Sequence, residues 1–180
     1  MVLRLLRFVV PVAAAGAVLL AGCGAAEGGS EEGDLDVVQI SDGVEVSVSE
    51  DTGSRPVVSV PSDAAAPGGL FVHDVVEGSG AEAVAGDAVA VQYAGFNWSN
   101  GKEFDASWNR GAQPFTVSPL GSAPVIQGWN DGLAGAQVGD RRLIVIPPEL
   151  GYGAAGAGGV IGPNETLVFV VDVVSINGKS

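Results

Sequence analysis

Apolar and polar residues alternate over short stretches through most of this chain, a period-two pattern that predicts strands far more often than helices. Residues 70–76 make a first short strand, and in residues 88–94 the positions Val89, Val91 and Tyr93 share one face, with Tyr93 closing that inward row. Ser99-Asn100-Gly101 forms a tight turn into a strand at 102–107, Asn-Gly being the favoured hairpin pair. Residues 115–117 supply another strand. The densest runs of Val, Ile and Leu, bounded by Gly or Pro, are 141–146 and 166–176. Helical spacing occurs only at 124–133, where Pro124 takes the first position and Val125, Ile126, Trp129 and Leu133 fall on one stripe. One short helix against an antiparallel sheet is an α+β arrangement.

The N-terminal third follows other rules. Arg4 and Arg7 precede an apolar stretch at 8–21, shorter than the ~20 residues of a comfortable membrane span, which is the grammar of a signal peptide. It ends in Leu20-Ala21-Gly22-Cys23, which resembles the bacterial lipobox; the alternative is an ordinary signal peptide with a chance Cys. The resemblance implies residues 1–22 as a lipoprotein leader and a di- or triacylated Cys23 that anchors the chain on the extracytoplasmic face of the cell membrane, since two acyl chains hold where one does not. Residues 23–67 are acidic: Glu27, Glu31, Glu32, Asp34, Asp36, Asp42, Glu45, Glu50, Asp51 and Asp63 face Arg55 alone. Residues 27–36 read as an extended, self-repelling tether. In 37–60, Val44, Val46 and Val48 alternate with polar residues and Asp42-Gly43 suits a hairpin; the pattern leaves open whether this segment pairs with the rest or stays loose. The Ala, Pro and Gly of 61–69 mark a boundary, and residues 68–180 form the main domain.

Composition narrows the chemistry. A chain of 180 residues carries one domain with appendages, and 47% hydrophobic against 16% charged residues supplies a core rather than disorder. A net charge of −13 opposes binding to a phosphate backbone, so nucleic acid is excluded as a partner. One Cys and one His make neither a zinc site nor an intrachain disulfide, and no metal or other cofactor is expected. Gly151-Tyr152-Gly153-Ala154-Ala155-Gly156 fits the spacing of a dinucleotide loop, but Gly158-Gly159 and Gly162-Pro163 forbid the helix that such a loop must open. His73, beside Asp74 in a short strand, reads as a surface residue rather than a catalytic base.

The remaining constellation is aromatic and branched: Tyr93, Phe104, Phe115, Val125, Ile126, Trp129, Tyr152, Val160, Ile161 and Phe169. Each could be plain core. Their order, though, follows Tyr93-Ala94-Gly95, Gly101-Lys102-Glu103-Phe104-Asp105-Ala106-Ser107, Pro114-Phe115, Val125-Ile126-Gln127-Gly128-Trp129, Val138-Gly139, Leu150-Gly151-Tyr152-Gly153 and Thr166-Leu167-Val168-Phe169. Together these segments resemble the FKBP-type peptidyl-prolyl cis/trans isomerases over residues 69–176.

That resemblance implies an antiparallel half-barrel sheet wrapped around one short helix, with a pocket between them. Trp129 forms its floor. Tyr93, Phe115, Val125, Ile126 and Phe169 line the walls, with Phe104 and Ile161 completing the apolar rim, Val160 a further substrate-binding residue, and Asp105 and Arg110 at one edge. The Tyr152 hydroxyl and the Ile126 N–H match positions that bond substrate carbonyls, and Tyr93, Asp105, Trp129, Tyr152 and Phe169 are the expected catalytic set. The implied activity is isomerisation of X-Pro bonds in extracytoplasmic polypeptides by a monomer without cofactor. The alternative is a catalytically weak binding or chaperone module for Pro-containing partners at the cell envelope. Two departures stand out. Ala157 and Gly158 replace a His and Pro common in relatives, implying a looser rim, and Val117 stands where an aromatic is common, shrinking one wall.

Overall fold

The computed structural model describes residues 35–180; the leader, Cys23 and the tether acids from Glu27 to Asp34 lie outside the described residues. In chain order the elements are β1 (Leu35–Ser41), β2 (Val44–Ser49), β3 (Val58–Ser59), β4 (Phe71–Val76), β5 (Val89–Asn97), β6 (Glu103–Ala106), β7 (Phe115–Val117), α1 (Gln127–Gly132), β8 (Arg141–Ile146) and β9 (Leu167–Ile176). The main sheet runs β4-β8-β9-β5-β6, with β7 also on β5, and every pairing is antiparallel. It curls without closing into a barrel.

The two densest apolar runs occupy its middle because both of their faces are covered. All of β8 is buried, so it reads as a continuous run rather than an alternating one. On the inner face, Val89, Val91 and Tyr93 meet Ile144, Ile146, Leu167, Phe169 and Val171 beneath Trp129 and Leu133 of the helical segment. Helix α1 approaches closely through Gly128 and Gly132: a Cβ at these positions would lie 2.4 and 2.8 Å from Cγ2 of Ile146 and Ile144. Arg142 caps the end of this segment, donating to the carbonyls of Gly132 and Ala134 at 3.1 Å each.

The outer face is covered by the N-terminal segment. The Asp42-Gly43 turn joins β1 to β2, with Gly43 at φ 73°, and β3 completes a small sheet. Val38, Val46 and Val48 pack on Ala94, Phe96, Leu143, Val145, Val168 and Val170, and the Trp98 indole donates to the Ala64 carbonyl at 3.0 Å. Residues 37–60 therefore pair among themselves and bury the sheet's second side. His73 is exposed on β4, stacked on Phe71 with its Nε2 3.9 Å from Asp36, as a surface strand residue should be.

Two expectations about the elements need correction. The helix opens at Gln127, not Pro124, because Ile126 is extended (φ −58°, ψ 146°) and the Asn130 side chain bridges the N–H and carbonyl of Ala123 at 3.1 Å each. Pro124, Val125 and Ile126 are thus a strap leading into the helix. Strand β5 continues to Asn97, so Tyr93 sits within its inward row rather than at its end.

Candidate active site

Between the inner face of the sheet and α1 lies a cavity of about 260 Å³ lined by Tyr93, Phe104, Asp105, Phe115, Pro124, Val125, Ile126, Trp129, Tyr152 and Phe169. Trp129, on the helix, is its floor: its ring centroid lies 5.1 Å from Tyr93, 5.7 Å from Phe115 and 5.2 Å from Phe169, near perpendicular in each case. Edge-to-face contact is the arrangement aromatic quadrupoles favour, so each ring holds the next. Gly95 makes room for a fifth, Phe104, since a Cβ there would lie 2.7 Å from both Phe104 and Phe169. Phe104 is brought over the pocket by a bulge in β6, where Glu103 and Asp105 oppose the adjacent β5 residues Phe96 and Gly95.

One edge of this apolar cup is polar. The Tyr93 hydroxyl donates to Asp105 Oδ2 at 2.5 Å, and Arg110 donates to Asp105 Oδ1 and to the Tyr93 hydroxyl at 2.6 Å each. The Arg110 guanidinium also stands 5.7 Å from the Tyr93 ring centroid. Burial, reinforced by the neighbouring Asp105 carboxylate, pushes the Tyr93 phenol up to about 12, so it remains a neutral donor. Burial also pulls Asp105 up, but the hydrogen bonds from Arg110 and Tyr93 outweigh it and hold the carboxyl below its ordinary value. Around neutral pH the edge is therefore a fixed carboxylate, phenol and guanidinium. Ser107 ties it to the sheet, accepting the Tyr93 N–H at 3.0 Å and donating to Gln92.

Tyr152 stands at the rim between two 3-10 turns, Pro148–Leu150 and Gly153–Ala155, and is 41% exposed. The Ile126 carbonyl accepts the Trp129 N–H at 3.0 Å, whereas the Ile126 N–H meets no acceptor among the described residues. Both residues line the cavity. Gly151 to Gly156 forms turns rather than a helix, as its neighbouring glycines require.

The structure leaves two expected apolar site residues outside the cavity lining. Ile161 is buried in the inner core, and Val160 is 59% exposed with its carbonyl accepting from the Asn97 side chain at 2.9 Å; neither lines the cavity. Val117 is fully buried opposite Val89. The segment 157–161 is a hydrogen-bonded turn: Ala157 and Ile161 exchange both backbone bonds at 3.0 Å, and Gly158 and Gly159 take φ of 58° and 71°. Two left-handed residues in succession make a primed hairpin turn, which glycine accommodates without strain. Sequence reasoning missed Pro124 as a wall residue by assigning it to the helix, and missed Ser107 and Gln92 because a single polar residue in a turn or strand carries no signal of its own. Among the described residues, no cluster of three or more His, Cys, Asp or Glu side chains could hold a metal ion.

Residues 80–174 match the family model of the FKBP-type peptidyl-prolyl cis-trans isomerases. An FK506-binding protein of Streptomyces anulatus is 47% identical over 123 residues, which is 68% of this chain and 97% of the relative. One from Neisseria meningitidis serogroup B is 47% identical over 109 residues, 61% of this chain and 97% of the relative. The crystal structure of AtFKBP13 superimposes with a TM-score of 0.54 at 38% identity, covering 64% of this chain and 96% of that one. With the family model spanning more than half of its length, the chain belongs to the FKBP-type peptidyl-prolyl cis-trans isomerases, enzymes that act on proline-containing polypeptides.

Proposed function

We propose that this isomerase turns over X-Pro bonds of proteins folding outside the cytoplasm, tethered to the membrane through a lipidated Cys23, and that Tyr93, Asp105, Trp129, Tyr152 and Phe169 carry the turnover. The observation that supports this most is an aromatic cup with a single ionic edge, Tyr93-Asp105-Arg110, whose members bond one another within 2.6 Å. Rotating an amide costs about 18–20 kcal/mol, mostly lost C–N double-bond character, and requires no proton transfer or nucleophile. The twisted amide has less charge separation than the planar one, so a dry aromatic cup disfavours the ground state relative to it. Each ~1.4 kcal/mol of that difference gives about tenfold in rate. Trp129 offers the prolyl ring a flat floor, while the Ile126 N–H and Tyr152 hydroxyl hold flanking carbonyls and the Asp105–Arg110 edge orients the rest of the chain.

The test is isomerisation of Leu-Pro and Phe-Pro peptides by residues 24–180, expected to be accelerated without added metal or nucleotide. Activity abolished by a chelator and restored by a divalent ion would overturn this mechanism, and tight peptide binding without acceleration would favour a holding module. Radiolabelled palmitate should appear on the full chain and vanish in Cys23→Ser; label retained on the variant would remove the anchor.

A further inference from the structure

Asp105 and Arg110 face each other from two elements, and strand pairing reaches only the first, Asp105 opposite Gly95. Asp105 follows the β6 bulge, where two residue steps oppose one on β5 and the regular ladder is interrupted. Arg110 ends the short 3-10 turn Ser107–Arg110. One side chain of the N-terminal segment holds a residue near each of them, Glu103 and Asn109. A terminal nitrogen of Arg55 lies 2.6 Å from each carboxylate oxygen of Glu103, on the near side of the bulge. Its other terminal nitrogen donates to Asn109, the neighbour of Arg110, at 3.2 Å, and Asn109 donates back to Glu103 at 3.1 Å. Arg55 is itself delivered by a fixed backbone: just before it, the carbonyls of Ser49 and Ser54 each accept from buried Arg141 at 2.8 Å.

The geometry points to Arg55 as a positioning residue for the isomerase site: by tying Glu103 to Asn109 it sets the separation at which Asp105 and Arg110 meet across the pocket edge. It also compensates Glu103, an acid two positions from Asp105 whose charge would otherwise repel the carboxylate the edge depends on. Arg55 is the single base among residues 24–67, and it reaches past the acids of its own segment to the main sheet. This inference rests on the reading of Asp105 and Arg110 as the substrate-orienting edge, and it gives the N-terminal segment a part in catalysis as well as in covering the core.

The test is a double-mutant cycle on the full chain in detergent, reading kcat/KM on a Phe-Pro peptide together with thermal unfolding. Arg55→Ala should lower kcat/KM about two- to fivefold, the size expected of an exposed ion pair with good geometry, and Arg55→Lys should recover most of it. In the Asp105→Asn background Arg55→Ala should remove nothing further, because the route runs through Asp105. Wild-type kcat/KM in Arg55→Ala, or an equal loss in both backgrounds, overturns the inference. A lowered melting temperature with unchanged kcat/KM overturns it too, reducing Arg55 to a staple. Full activity in Asp105→Asn alone would instead remove the pocket-edge reading on which the inference stands.

Discussion

Two arginine–aspartate pairs lie on opposite faces of the main sheet, and their contrast separates what holds this molecule from what works in it. Arg141 and Asp172, on the outer face beneath the small sheet's tail, have side chains 0% and 8% exposed. Every N–H of Arg141 is used: two go to Asp172 at 2.6 and 2.7 Å, and the rest to Ser49 and Ser54. Asp172 also receives the Gly53 N–H at 3.2 Å. Arg110 and Asp105, at the pocket mouth, are 51% and 40% exposed. There the guanidinium bonds only Asp105 and Tyr93 among the described residues, which leaves part of its donor capacity unused. Identical chemistry is saturated in one place and left open in the other. Saturation makes a pair structural; an unsaturated pair beside an apolar cup is available to a ligand.

The sharpest way to break this contrast is to cut the buried pair. Arg141→Ala strands a carboxylate under the small sheet and should destabilise the fold by about 3–5 kcal/mol in urea titration, while kcat/KM per folded molecule should fall no further than in Arg55→Ala. Activity lost without stability would reverse the assignment. The complementary change, Asp105→Asn, keeps the side chain's shape and removes the charge. Peptide assays should show about a tenfold loss, while thermal unfolding should register less than ~1 kcal/mol, since half-exposed pairs add little to stability.

The smallest effect is a titration. The Tyr93 phenol is raised from 10.0 to about 12 in the folded state, so its contribution to stability is complete below pH 10 and is lost as pH rises through 12. Asp105 is lowered, so its contribution is present above the ordinary carboxylate value and is lost as pH falls through its own. Between these limits the pocket edge does not change charge. Activity should therefore be flat across neutral pH, and Tyr93→Phe should abolish the most alkaline step in phenolate absorbance; that step persisting in the variant would overturn its assignment to Tyr93.

The central strands, the Asp42-Gly43 and Asn100-Gly101 turns and the aromatic wall were legible in the sequence because each rests on local facts: side-chain periodicity, turn chemistry and residue type. The surface role of His73 and the failure of Gly151 to Gly156 as a dinucleotide loop were legible on the same grounds. What folding decided depended on partners far along the chain. The Asn130 amide took Ala123's backbone groups and moved the helix start to Gln127, which turned Pro124 into a wall. The Ala157–Ile161 turn closed on itself and left Val160 outside the cavity. Residues 37–60 looked equally able to pair or to hang loose, because alternation records that a face is apolar and not what will cover it. Only the assembled sheet, apolar on both sides and carrying a buried arginine that needed the Ser49 and Ser54 carbonyls, determined that they cover it.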